Sequence, residues 1–313
     1  MGQDVEKTVF SREDRQRYRA KVKRCLDVFA RMLAESRFEA DRSSIGLEIE
    51  LNLTEETGDP AMANAEVLEM IADDAFQTEL GQFNVEINIP PRRLADGVFT
   101  ELETAVRASL NDAEERSRKV HAHMMIIGIL PTLREGDVDA RALSPNPRYA
   151  LLNEQIFAAR GEDLHLVING VEQLDTYADT IAPEAACTSV QLHQMVDPAR
   201  FAAHWNAAQA IAGIQLAIGA NSPFFFCREL WRESRIAVFT QATDTRPEEL
   251  KAQGVRPRVW FGERWITSIF DLFEENVRYY SALLPLCDDE DPAEVLASGG
   301  TPSTTSYTGR FQR

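Results

Sequence analysis

The sequence predicts an α+β fold, a mainly antiparallel sheet with helices packed on one of its faces, and three runs carry that prediction. In residues 45–53, Leu47, Ile49, Leu51 and Leu53 alternate with Glu48, Glu50 and Asn52, the period-two pattern of a strand with one oily and one polar face. Residues 80–89 repeat it, with Phe83, Val85, Ile87 and Ile89 on one side and Asn84, Glu86 and Asn88 on the other, before Pro90-Pro91 closes the run. In residues 187–196, Val190, Leu192 and Val196 alternate with Ser189, Gln191, His193 and Met195. Between these runs lie segments of helical spacing. An antiparallel sheet that buries its apolar face against such helices gathers its polar side chains on the open side.

Taken in order, residues 14–40 place Tyr18, Val22, Cys25, Leu26, Phe29, Met32 and Leu33 in a helical stripe, with the Arg and Lys residues between them read as a solvated face. Gly58-Asp59-Pro60 supplies a turn after the first acidic strand, and 66–71 reads as a short helix. Helical periodicity through Leu102, Val106, Leu110 and Ala113 leads into a buried strand at 124–130. A Pro- and Asn-containing loop at 143–149 precedes a helix at 151–159, and 164–170 reads as a strand. The apolar stretch 201–226, interrupted by His204, Asn206, Gln209 and Gln215, reads as a buried helix ending near Gly219 rather than a membrane span. Residues 231–246 read as a strand, 256–265 concentrate arginine with aromatics, and 266–284 read as a helix.

Composition narrows the function. Fifty Asp+Glu against 33 Lys+Arg give a net charge of −17, which opposes general binding to nucleic acid or to an anionic membrane. Cys25, Cys187, Cys227 and Cys287 form no C-x-x-C pair, so neither a zinc knuckle nor a disulfide framework is expected and a reducing cytoplasm is the simplest home. The charged N-terminus lacks the apolar core of a signal peptide.

Glu48 and Glu50, Glu86, and His193 fall on three strand runs, each on the face opposite the apolar residues. Carboxylates with a lone imidazole suit Mg²⁺ or Mn²⁺ in a nucleotide–metal site better than structural zinc. Such ions neutralise phosphate charge while arginine forks hold the oxygens, and Arg235 and Arg246 are the arginines whose spacing fits. His121-Ala122-His123 sits at a helix-to-strand junction and reads as structural. There is no G-x-x-x-x-G-K-[ST] loop, no G-x-G-x-x-G turn and no G-x-S-x-G elbow, so a nucleotide would bind without a familiar phosphate loop.

Gly46-Leu47-Glu48-Ile49-Glu50, the run from Thr78 through Pro91, Ala220-Asn221-Ser222-Pro223-Phe224, the run from Glu233 through Arg246, and Phe270-Asp271-Leu272-Phe273-Glu274-Glu275-Asn276 together resemble the bacterial glutamate–cysteine ligase type 2, or carboxylate-amine ligase, family over about residues 44–302. The resemblance implies a curved, glutamine synthetase-like sheet holding ATP and metal ions on its open face. It also implies a reaction in which ATP phosphorylates the γ-carboxylate of glutamate and an amine such as cysteine attacks the acyl phosphate. By motif position Glu48, Glu50 and Glu86 would hold metal, and His193 metal or phosphate. Arg235 and Glu86 would be catalytic, and Arg235, Arg246, Gln191 and Asn221 would contact the nucleotide. The organisation expected is a helical segment over 1–43, a ligase domain over 44–298 and a disordered polar tail over 299–313. Family members continue past Gly299-Gly300-Thr301-Pro302 into a further segment, whereas this chain ends in a patternless run. The expectation is therefore a shortened ligase, with an inactive paralogue that binds nucleotide or a partner protein as the alternative and a metal-dependent hydrolase ranked last. The amine acceptor, the number of metal ions and the oligomeric state, a homo-oligomer included, stay open.

Overall fold

The computed structural model describes residues 9–38 and 43–302; the start of the expected N-terminal segment and the tail 303–313 lie outside the described residues. The elements run α1 (Arg12–Ala34), β1 (Ser44–Thr54), α2 (Asn64–Ile71), β2 (Phe76–Thr78), β3 (Asn84–Arg93), α3 (Val98–Ser117), β4 (His123–Met125), α4 (Pro147–Arg160), β5 (Leu164–Asn169), β6 (Gln173–Ala178), β7 (Val190–Gln194), α5 (Phe201–Gly219), β8 (Phe224–Phe225), β9 (Arg228–Glu229), α6 (Arg235–Ala242), α7 (Glu248–Ala252), α8 (Ile269–Tyr279) and α9 (Pro292–Ala297). The mixture of helices and antiparallel sheets is α+β, as the alternating runs imply.

β1 is the centre of the main sheet. It pairs with β3 along most of its length on one side; on the other it pairs with β7 over Ile45–Ile49 and with β4 over Asn52–Thr54, every pairing antiparallel. β2 adds to the far side of β3. The register slips between Ile45 and Leu47, at Gly46, which lies opposite His193 of β7. Over β1 and β3 the oily face packs as expected, with Ile49, Leu51, Leu53, Val85 and Ile87 meeting Val67 and Ile71 of α2 and Val98 and Leu102 of α3 in one core, whereas Val190 and Leu192 of β7 stay exposed. Each such side chain, taken wholly out of water, contributes about 1.5–3 kcal/mol.

The polar face is only half open. Asn52 and Asn84 are 0% and 2% exposed, and Asn84 Nδ2 donates to Asn52 Oδ1 at 3.1 Å while Asn52 Nδ2 donates to Ile127 O and Thr188 Oγ1. A second core, built on Phe83, Ile129, Leu130, Leu133, Leu166, Ile168 and Phe225, covers that end. Phe83 therefore does not continue the apolar face of β3. It precedes the strand and turns into the second core, where the alternation has not yet begun.

Other expectations need correcting. Residues 231–246 are not a strand: Val238 and Ala242, four apart, are the buried residues of the helix α6, which packs on β5. The β-branched Ile236 and Val238 favour a strand locally, but tertiary packing overrides that weak preference. Pro90-Pro91 does not end β3, which runs on to Arg93. β2 pairs only as far as Ile87, and the β1 register slip lies opposite the prolines, so their missing N–H groups interrupt no ladder bond. The strand expected over 124–130 is confined to β4, three residues long. The apolar helix α5 has no buried residue, with Ile211, Ile214, Leu216 and Ile218 all exposed: its apolar residues surround the axis, the pattern of a buried helix, yet among the described residues no neighbouring element covers it. The basic face of α1 is not simply solvated: Lys21 pairs with Asp288 and Arg24 with Asp291, tying α1 to the chain just before α9. Among the described residues no helix is long and apolar enough to cross a membrane.

Candidate active site

Because β1 and β3 run antiparallel with Glu50 directly opposite Glu86, the two carboxylates share one face of the sheet. A third joins them from the short loop after β2. Acceptor oxygens of Glu50, Glu79 and Glu86 all lie within 4.8 Å of one another. The loop that carries Glu79 is well tethered. Its carbonyl accepts from Ser144 Oγ, Ser144 N donates to Leu80 O at 2.8 Å, and buried Asn64 Nδ2 donates to Ser144 Oγ at 2.8 Å and Gly81 O at 3.2 Å. Gln77 stands opposite Glu86 in the β2–β3 ladder, and its Oε1 is a buried acceptor with no partner. Three carboxylates and an orphan amide oxygen on one face form a set of hard oxygen donors that fits Mg²⁺ or Mn²⁺.

The electrostatics agree. Burial pushes Glu50 up to about 7, with bonds from Ser189 opposing the rise and the Glu86 charge adding to it. Burial and then the Glu50 charge push Glu79 up to about 7. Glu184, close behind, is raised to about 8 by burial and by the same two neighbours. Since the folded chain holds these protons more tightly than the unfolded one, stability present below the ordinary value of 4.5 is lost as pH rises through about 7. The metal-free protein is therefore expected to melt at a lower temperature at pH about 8 than at pH about 5. Mg²⁺ should raise the melting temperature more at the higher pH, because it takes the place of the protons. Calorimetry across that range, with and without Mg²⁺, checks both; a Mg²⁺ effect independent of pH would contradict them.

Of the residues singled out in the sequence, Glu50 and Glu86 meet in this trio, while Glu48 and His193 form a separate pair with His193 Nε2 3.3 Å from Glu48 Oε1. These two, with Asn88, line a groove of about 710 Å³ at the neighbouring end of the sheet. Asn88 links the places, since its Nδ2 donates to Glu86 Oε1 at 2.7 Å. Gln191 Nε2 donates to Glu50 Oε1 at 3.3 Å, and Asn221 is exposed, its carbonyl accepting from Gly128 N. Both arginines are already engaged. Arg235 forks onto Glu233 with two 2.6 Å bonds and also donates to Thr188 O and Gly219 O; Arg246 grips Asp244 and Val255 O. His123 lies against Glu114 Oε1 at 3.0 Å and Glu56 Oε1 at 3.1 Å, away from the acidic trio.

Glu79 escaped sequence reasoning because it lies on no alternating strand. Gly128 is a second residue that sequence reasoning passed over. A Cβ there would sit 2.8 Å from the Arg235 guanidinium and from Asn221 O. Gly128→Ala is expected to displace Arg235 and cost about 1–3 kcal/mol, the range for overpacking, as measured by urea denaturation.

A model described as glutamate-cysteine ligase family 2 matches residues 44–255. The chain belongs to this family. No curated protein matches it. Membership in the glutamate-cysteine ligase family supports a ligase of the carboxylate–amine type. The matched span holds the acidic trio, the Glu48–His193 pair and both engaged arginines, and it ends before α8 and α9.

Proposed function

We propose that residues 44–298 form an ATP-dependent carboxylate–amine ligase of the glutamate–cysteine type, making a γ-glutamyl amide. The observation that carries this reading is the meeting of Glu50, Glu79 and Glu86 oxygens within 4.8 Å on the polar face of the sheet. Bound there, Mg²⁺ or Mn²⁺ would neutralise charge on a polyphosphate. Around it, Ser189 N and Gln191 orient Glu50, Asn88 orients Glu86, and the tethered loop after β2 fixes Glu79. The groove beside Glu48 and His193 offers the adjoining space for a substrate. In the reaction proposed, a glutamate carboxylate oxygen attacks the terminal phosphorus of ATP and ADP leaves. The amine then displaces phosphate from the acyl carbon and loses a proton, giving amide, ADP and phosphate.

The test is ADP release, coupled to a spectroscopic readout, with Mg²⁺, glutamate and a panel of amines including cysteine. ADP formation that requires both substrates supports the ligase. ATP binding without ADP formation supports a non-catalytic nucleotide-binding protein, a reading favoured by the prior engagement of Arg235 and Arg246 with Glu233 and Asp244. Substrate loss without ATP would support a hydrolase.

A further inference from the structure

One cavity reverses the charge of the chain. Between α1 and the segment from α8 to Pro285 lies a space of about 290 Å³ lined by Arg15, Arg19, Lys23, Arg258 and Arg278, with no Asp or Glu in its wall, in a protein of net charge −17. Arg15, Arg19 and Lys23 recur at four-residue spacing on one face of α1, where like charges repel. Arg15 and Arg278 have local partners: Arg15 donates to Ala282 O and Gln155 Oε1, and Arg278 pairs with Glu274 at 2.9 Å. Arg19 and Lys23 make no ion pair among the described residues.

Arg258 is the informative member. Its guanidinium lies 5.4 Å from the Tyr280 ring, one N–H₂ donates to Ser281 O at 2.8 Å, and Nε is buried with no partner. Burial pushes its pKa below the ordinary range, and the groups that oppose this are tyrosines rather than a carboxylate. A partly buried cation with no counter-charge is costly, and an anion in the cavity would supply the missing charge. Tyr18 and Tyr279 give the same cavity an aromatic wall.

We propose that this cavity binds a small multivalent anion bearing phosphate or carboxylate groups, seated on Arg258 with Arg19 and Lys23 at its mouth. All of its lining residues fall outside the family match at 44–255, and none belongs to the acidic trio or the groove beside it. The site is therefore independent of the ligase reading.

Isothermal titration of the full chain with tripolyphosphate and with citrate, free of Mg²⁺, tests the proposal and separates the two sources of charge. At least one anion should bind with one-to-one stoichiometry. Arg19→Glu/Lys23→Glu, both on the exposed face of α1, should weaken that binding by about tenfold or more, as should Arg258→Gln. Glu50→Gln/Glu86→Gln should leave it unchanged. If Arg258→Gln loses its circular dichroism spectrum, the exposed pair decides alone. No saturable binding of either anion, a charge-reversed pair within about twofold of the parent, or loss confined to the Glu50/Glu86 variant would each overturn the proposal.

Discussion

Glu86→Gln is expected to lower substrate-dependent ADP formation by on the order of 100-fold, the scale on which one charge-stabilising group acts in a dry site, while the circular dichroism spectrum stays that of the parent. The substitution keeps the shape and the bond partner at Asn88 but removes the charge that faces Glu50 and Glu79. Glu86 is 6% exposed and its backbone sits in the β1–β3 and β2–β3 ladders, which an amide leaves intact. Equal loss of folded signal and of activity would show the carboxylate to be structural. Raising Mg²⁺ should recover part of the activity, since a weakened cation site is filled by mass action.

Arg235→Ala is expected to destabilise the protein by about 3–5 kcal/mol, because it strands a buried carboxylate. Glu233 is 8% exposed, and its partners are the Arg235 fork and Ser222 Oγ at 2.8 Å. Burial alone would raise its pKa, but the bonds from Arg235 and Ser222 outweigh it and hold the group below the ordinary value. A carboxylate depressed in this way contributes stability above its unfolded pKa and loses it as pH falls through the folded one. The gap between parent and Arg235→Ala in urea denaturation should therefore be wide at neutral pH and narrow in acid. Arg235→Met/Glu233→Gln should lie closer to the parent than Arg235→Ala, since the pair is removed together. A gap that is constant with pH would show that the ion pair is not what Arg235 contributes.

Much of this architecture is visible in the alternation of residues 45–53 and 80–89, because a half-buried antiparallel strand cannot hide its period. That Glu50 and Glu86 lie on polar strand faces followed from the same alternation, whereas their standing directly opposite each other is set by the strand register. What the alternation could not convey was where the polar face is covered. Asn52 and Asn84 look like Glu50 and Glu86 in the pattern, yet they lie under the second core and serve as a buried hydrogen-bond ladder. Glu79 was invisible for the opposite reason: a loop has no period, and its place is set by Ser144 and Asn64, far away in sequence. The strand-like run 236–238 and the apolar run of α5 misled in a related way, since local composition does not say what stands opposite. Arg235 and Arg246 were legible as cations but not as cations already paired, because their carboxylates stand two residues before each of them and the intervening backbone must turn to bring the forks together.

The most direct test is a crystal grown with Mn²⁺ and a non-hydrolysable ATP analogue, with the cation located by anomalous scattering. Density for Mn²⁺ among the oxygens of Glu50, Glu79 and Glu86 is the result expected. Ordered nucleotide with Mn²⁺ elsewhere, or with none at that trio, would contradict the assignment of this sheet face as the reacting site.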